Sequence, residues 1–234
     1  MEIAPGIHVM GSKKGGYVRA FLLDDGTDLT LIDTLFETDG RLILDQLAAM
    51  GRTVKDLKNI VLTHGHRSHL GGMAALKKLS GATVYTHEWE ADIISGDRKA
   101  QNVTLRPIKP YKTYPYQLGL ALGLGDHPHC EVDKCLKDGD RIGPAQVMHT
   151  PGHSPGHLAF YWPERRVLIT GDAVCTWPDF RSGWPSFTLN WKQQRASIRR
   201  MAQVEIDAVA VGHGDPITRN ATQRMRALAM ASQD

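Results

Sequence analysis

Apolar residues recur along this chain in short runs closed by glycine, proline or aspartate, and only a few stretches carry the i, i+3, i+4 spacing of a helix. Residues 7–10, 17–23 and 29–33 read as three strands of an antiparallel meander, turning at Gly15-Gly16 and at Asp24-Asp25-Gly26. Residues 38–50 place Leu42, Ile43, Leu44, Leu47 and Ala48 at helical spacing, and Gly51 stops them. Asn59-Ile60-Val61-Leu62 reads as a buried strand, 69–79 as a helix ended by Gly81, and Ala82 to Tyr85 as a strand again. Strand, loop, helix and strand in that order build α/β layers. His87-Glu88-Trp89-Glu90 opens another helix-like stretch, in which His87 and Glu88 read as ordinary surface or packing residues.

Between about Gly96 and Gly125 the periodicity fails, and Pro107, Pro110 and Pro115 alternate with Tyr111, Tyr114 and Tyr116. A long irregular segment of this kind is expected to cover a binding site. The second half repeats the style of the first, with strands near 146–149, 157–162 and 166–170. A helix from about Trp191 to Ala202, a strand at Ala208-Val209-Ala210-Val211 and a closing helix from about Ile217 to Met230 follow.

Length and charge narrow the function. At 234 residues the chain suits one large domain or two small ones with a substantial core. Its 28 Lys and Arg stand against 25 acidic residues, so a net charge of +3 gives no reason to invoke nucleic acid. Three cysteines, Cys130, Cys135 and Cys175, are too few for a disulfide framework and suit a reducing compartment. Met1-Glu2-Ile3-Ala4-Pro5 lacks the basic start and long apolar core of a secretory signal, and no run is long enough to span a membrane. A soluble cytoplasmic protein is the expectation.

The chemistry concentrates in Thr63-His64-Gly65-His66-Arg67-Ser68-His69, directly after an apolar run. Imidazoles at the open end of a strand can converge on one point, and a metal ion is the usual object of that convergence. The alternative is a polar loop whose Ser68 caps the following helix. Three further polar residues stand where strands give way to loops, each directly after a glycine that allows a sharp turn: His153, Asp172 and His213. Together they suggest a metal site assembled from several strand ends. Asp33 closes its strand as a helix cap or as a partner for a metal-bound histidine. His127-Pro128-His129-Cys130 with Cys135 also looks like a ligand set, but its spacing fits no common zinc module.

With these residues in this order, the chain resembles the metallo-β-lactamase fold superfamily, which includes glyoxalase II, lactonases and the zinc β-lactamases. The match runs from Asp33 through the 64–69 cluster, His153 and Asp172 to His213. The resemblance implies an α/β fold, a four-layer αβ/βα sandwich forming a single domain over 1–234, with two similar halves of about 1–125 and 126–234. It implies that His64, His66 and His153 hold a first metal, that His69 and His213 hold a second, and that Asp172 bridges them. Asp33 matches the supporting acid, which is not itself a ligand. One position departs: Ser68 stands where the family has a ligand aspartate, and a neutral hydroxyl is a far poorer ligand for a divalent cation. Cys175 could swing in to replace it, though burial in the core is the simpler expectation.

By resemblance, the activity is hydrolysis by zinc-activated hydroxide at an ester, thioester, lactone or β-lactam carbonyl, with catalysis resting on His64, His66 and Asp172. Zinc is expected, firmly bound once and weakly a second time, with iron or manganese as alternatives. A small molecule is the expected partner. Glutathione thioesters are less favoured, because the chain ends soon after His213. Tyr111, Tyr114 and Tyr116, with Trp177, Phe180, Trp184 and Phe187, suggest an apolar pocket or a self-association surface that would make a homo-oligomer. Two rivals remain: a mononuclear iron oxygenase like the family's persulfide dioxygenases, using His64, His153 and Asp172, and a fold kept for binding after its site degraded.

Overall fold

The structure, a computed structural model, describes residues 1–100, 122 and 126–232. The cover expected around Tyr111, Tyr114 and Tyr116 lies outside the described residues. Among the described residues, twelve strands form two sheets. The first holds β1 (Glu2–Ala4), β2 (Ile7–Gly11), β3 (Arg19–Asp24), β4 (Leu29–Ile32), β5 (Leu57–Val61), β6 (Thr83–Thr86) and β7 (Lys134–Cys135), in chain order. β1 to β4 pair antiparallel, and β4 to β7 run parallel. The second sheet has the order β12-β11-β10-β9-β8: β8 (Arg141–Ile142), β9 (Ala145–His149), β10 (Leu158–Trp162), β11 (Val167–Ile169) and β12 (Ala208–Ala210). Only its β11–β12 pair is parallel.

Alternation along these strands produces the layers. In β3, Phe21 and Leu23 face the second sheet, while Leu22 between them faces the opposite way, with Leu47 and Leu76 of helices Arg41–Ala49 and Met73–Ser80. In β10 and β11, Phe160 and Ile169 meet the first sheet, whereas Ala159 and Leu168 join Ile198 and Met225 of helices Trp191–Met201 and Ala221–Ala231. Three apolar cores therefore separate four layers, helix, sheet, sheet and helix, as an αβ/βα sandwich requires.

The element expectations hold with three corrections. The helix read over 69–79 is two pieces, Arg67–Leu70 and Met73–Ser80, interrupted where Gly71 and Gly72 lie tight against the backbone of Phe36 and Thr34. The closing helix starts at Ala221 and not near Ile217, because Ile217 pairs with Val209 at the edge of β12. Ser68 does not cap its helix: His66 occupies the cap position, no side chain caps that end, and Ser68 lies in the first turn.

Candidate metal centre

The parallel strands β4, β5, β11 and β12 all end on one side of the sandwich, and ligands gather at the carboxyl ends of such strands. Asp33 follows β4, the 64–69 cluster follows β5, His153 lies between β9 and β10, Asp172 follows β11 and His213 follows β12. Backbone bonds lock these ends together: Leu158 donates to the Thr63 carbonyl across the two sheets (2.9 Å), and Arg19 donates to the Gly212 carbonyl (2.8 Å). The glycines before the three loop ligands do different jobs. Gly152 and Gly171 have positive φ and allow the turn, whereas Gly212 has no positive φ and instead leaves room for Asp172, whose Oδ1 a Cβ there would strike.

Six buried side chains meet in two groups able to hold a cation, His64, His66, His153 and Asp172 in one, and His69, His213 and Asp172 in the other. The hydrogen-bond network assigns the tautomers of three of the five imidazoles. His213 Nδ1 donates to the Gly16 carbonyl (2.7 Å), and His69 Nδ1 donates to Asp33 Oδ2 (2.8 Å). The Thr63 hydroxyl donates to the Asp33 carboxylate and accepts from His64 Nδ1 (2.9 Å). Each outer nitrogen carries a proton, so the Nε2 atoms of His64, His69 and His213 point inward.

Inside, His153 Nε2 lies 3.0 Å from His66 Nδ1 and 3.2 Å from His64 Nε2, and His69 Nε2 lies 3.3 Å from His213 Nε2. Nitrogens around a tetrahedral zinc, at about 2.0–2.1 Å from the ion, are separated by about 3.3 Å. Bare lone pairs that close repel unless a cation lies between them. Asp172 Oδ1 is buried without a hydrogen bond, which is the condition of a carboxylate awaiting a cation. The residues present therefore fit a metal ion.

The electrostatics agree. Burial, with the neighbouring imidazoles of His66, His69 and His153, pushes His64 well below the usual histidine range, and burial does the same to His153 against the pull of Asp172. Burial opposes ionisation of Asp172, but His213 and His69 outweigh it and hold this carboxyl well below its ordinary range. Burial likewise opposes charge on His69, yet Asp172 and Asp33 prevail and raise it to about 10. That field attracts a cation of either kind, a proton or a metal.

Asp33 is therefore the support of His69 and not a helix cap. Cys175 is buried, its thiol pushed up to about 12 by burial and then by Asp172; its backbone pairs with that of Arg181, and neither ligand group includes it. Among the described residues no ligand grouping forms at His127, His129, Cys130 and Cys135. His87 caps helix Glu88–Ser95 and stacks on His149 with ring centroids 4.3 Å apart, a packing role.

Two buried residues escaped the sequence reading. Glu90 accepts from Gly65 N (2.9 Å), Ser154 Oγ (2.7 Å) and Gly156 N (2.9 Å), tying the His64–His66 loop to the His153 loop. His157 contacts Thr150 Oγ1 (2.8 Å) and accepts from the Asp172 amide (3.1 Å), and burial lowers its pKa to about 3. For Glu90 the signal was its place on the same helix face as Ile93 and Ile94. A cavity of about 560 Å³ opens over the centre, walled by Phe36, Trp177, Trp184 and Phe187, with Arg67 and Ser68 at the metal end.

Residues 14–213 match the family model of the metallo-beta-lactamase superfamily. The chain belongs to that superfamily. The superfamily fold is the sandwich described above, and the superfamily is one of metal-dependent hydrolases. The chain is similar to the probable metallo-hydrolase YflN of Bacillus subtilis (strain 168), 26% identical over 93% of this chain and 87% of YflN. It is similar to the hydroxyacylglutathione hydrolase GloC of Haemophilus influenzae, 27% identical over 70% of this chain and 71% of GloC. Among solved structures it resembles TTHA1623 in a di-iron-bound form, with a TM-score of 0.69 and 26% identity, covering 94% of this chain and 97% of TTHA1623. Among the described residues no helix is long and apolar enough to cross a membrane.

Proposed function

We propose that this superfamily member is a hydrolase of small esters, thioesters, lactones or β-lactams, with zinc as its ion. One observation carries the reading: ring nitrogens of buried imidazoles converge at 3.0–3.3 Å while the outer nitrogens of His64, His69 and His213 are bound to protein partners. His64, His66, His153 and Asp172 would hold zinc, which would lower the pKa of a bound water to about 7 and polarise the carbonyl under attack. His64, His66 and His153 are the neutral donors, and Asp172 supplies the negative charge facing both groups. Asp172, whose Oδ1 lies 3.3 Å from His69 Nε2, would be shared by the two groups. Asp33, Thr63 and Gly16 keep three rings from turning. Phe36, Trp177, Trp184 and Phe187 exclude water and hold an apolar acyl body.

Ser68 lines the cavity where the family's aspartate would add a charged ligand. The second group then has His69, His213 and Asp172 alone, so one ion is held firmly and the second weakly. The test is turnover of a panel of aryl esters, a glutathione thioester, lactones and a β-lactam by zinc-loaded protein, lost on chelation and restored by zinc. The glutathione thioester belongs in the panel because GloC is a hydroxyacylglutathione hydrolase. No turnover of any carbonyl substrate by the loaded protein would overturn the reading.

Ser68 and the di-iron form of TTHA1623 favour a second reading, an iron-dependent oxygenase on His64, His153 and Asp172. Oxygen consumption by iron-loaded protein, with no carbonyl hydrolysis by the zinc-loaded form, would make it the better one.

A further inference from the structure

We infer that His157 is a positioning residue for both metal groups: anchored on Thr150, it fixes the backbone that carries Asp172, the carboxylate the two groups share. The inference rests on the metal-centre reading above and gives a task to a buried imidazole at the centre that belongs to neither group. Its hydrogen bonds explain why it stands outside them. The Asp172 amide can only donate, so His157 Nε2 accepts from it (3.1 Å), and the ring proton lies on Nδ1, which donates to Thr150 Oγ1 (2.8 Å). Both ring nitrogens are engaged within the protein, and neither is left for an ion.

Three neighbouring strand ends are joined in this way. Thr150 follows β9, His157 leads into β10 and Asp172 follows β11, and these strands lie side by side in the second sheet. Asp172 sits in the short turn Gly171–Ala173, whose first amides have no carbonyl of the turn to bond. On the β12 side the turn is held by Gly212, whose amide donates to the Gly171 carbonyl (2.9 Å), and by Thr170, whose amide donates to the Ala210 carbonyl (2.8 Å). His157 holds it on the β10 side. Gly171 makes room for that bond, because a Cβ there would come within 2.6 Å of His157 Nε2. Without the ring, the Asp172 amide loses its acceptor and the turn loses its tie to β10, so the carboxylate is free to shift.

The ring also lies beside the first group, with its centroid 5.4 Å from that of His64 and 5.8 Å from that of His153. Those contacts supply a rival account, in which His157 merely packs two ligands. The accounts differ in what they reach: packing on His64 and His153 touches the first group alone, whereas Asp172 belongs to both.

The experiment compares three variants with the native protein. His157→Leu removes the acceptor, His157→Gln keeps one near the place of Nε2, and Thr150→Val keeps the side chain's shape while removing the acceptor of Nδ1. Zinc affinity of each group is read by competition against chelating indicators, one matched to each affinity, beside urea unfolding of the chelator-treated forms. His157→Leu should weaken both groups by a similar factor of at least about tenfold, as loss of a supporting residue does. Thr150→Val should weaken both groups alike by a smaller factor, and His157→Gln should recover most of the loss at both. Should His157→Leu fail to fold, Thr150→Val decides on the same pattern. A loss confined to the first group, no loss at either, or a His157→Gln variant as weak as His157→Leu would overturn this inference and leave the metal centre standing. Fewer than two zinc ions in the native protein at saturation would overturn the shared carboxylate itself, and this inference with it.

Discussion

His69 Nδ1 lies 2.8 Å from Asp33 Oδ2, and both side chains are fully buried. The carboxylate fixes the ring so that Nε2 faces His213 and Asp172, and it raises the basicity of that nitrogen. Asp33→Ala removes the acceptor and leaves His69 free to turn. Zinc affinity of the second group should fall by about 10–100-fold, the usual effect of losing such a support. Competition against a chromophoric chelator measures it, and an unchanged second affinity would remove Asp33 from the account.

Glu90 holds both loops of the first group through three buried hydrogen bonds. Glu90→Ala leaves their donors without a partner, at about 1–3 kcal/mol for each buried group unmatched. Urea unfolding should show a loss of at least about 2 kcal/mol, and zinc affinity of the first group should fall more than that of the second. A fully stable variant with native zinc affinity would make Glu90 incidental.

Gly212 lies against the carboxylate that serves both groups. A methyl group there displaces Asp172 Oδ1, so at saturating zinc Gly212→Ala should lose both zinc ions together while the distant cores still fold. Zinc analysis beside a circular dichroism melt checks this. Selective loss of one ion would show that Asp172 does not serve both.

His157 makes the metal-free protein sensitive to acid. Its folded pKa is lowered to about 3, whereas an unfolded histidine takes a proton near 6.5. Above pH 6.5 neither state is charged, and the folded state has its full stability. Between 6.5 and 3 the unfolded chain binds a proton that the folded chain refuses, so stability falls with pH by up to about 1.4 kcal/mol per pH unit from this group. His157→Gln keeps an acceptor for the Asp172 amide and cannot titrate. Its chelator-treated form should lose less stability between pH 7 and pH 5 than the native protein does, and parallel losses would contradict the assignment.

The layers were legible because each central strand alternates between two apolar partners, as Phe21, Leu22 and Leu23 do, and the ligands because each ends a β-rich run. Element ends were less so. Ile217 is read into the closing helix, and its pairing with Val209 of the preceding strand decides otherwise. Ser68 sits where a cap is expected by position, but the helix begins two residues earlier and hands the cap to His66. His157 left no signal, and Glu90 only its helix face, because their partners are backbone amides and hydroxyls from remote loops, which leave no local spacing.

The central claim is that the inward nitrogens of His64, His66 and His153 share a cation. Anomalous diffraction at the zinc edge, from crystals of zinc-loaded protein, tests it most directly. The account predicts a peak about 2.0–2.1 Å from His64 Nε2, His66 Nδ1 and His153 Nε2 together. Density for zinc elsewhere, or rings turned so that these atoms no longer face one another, would contradict it.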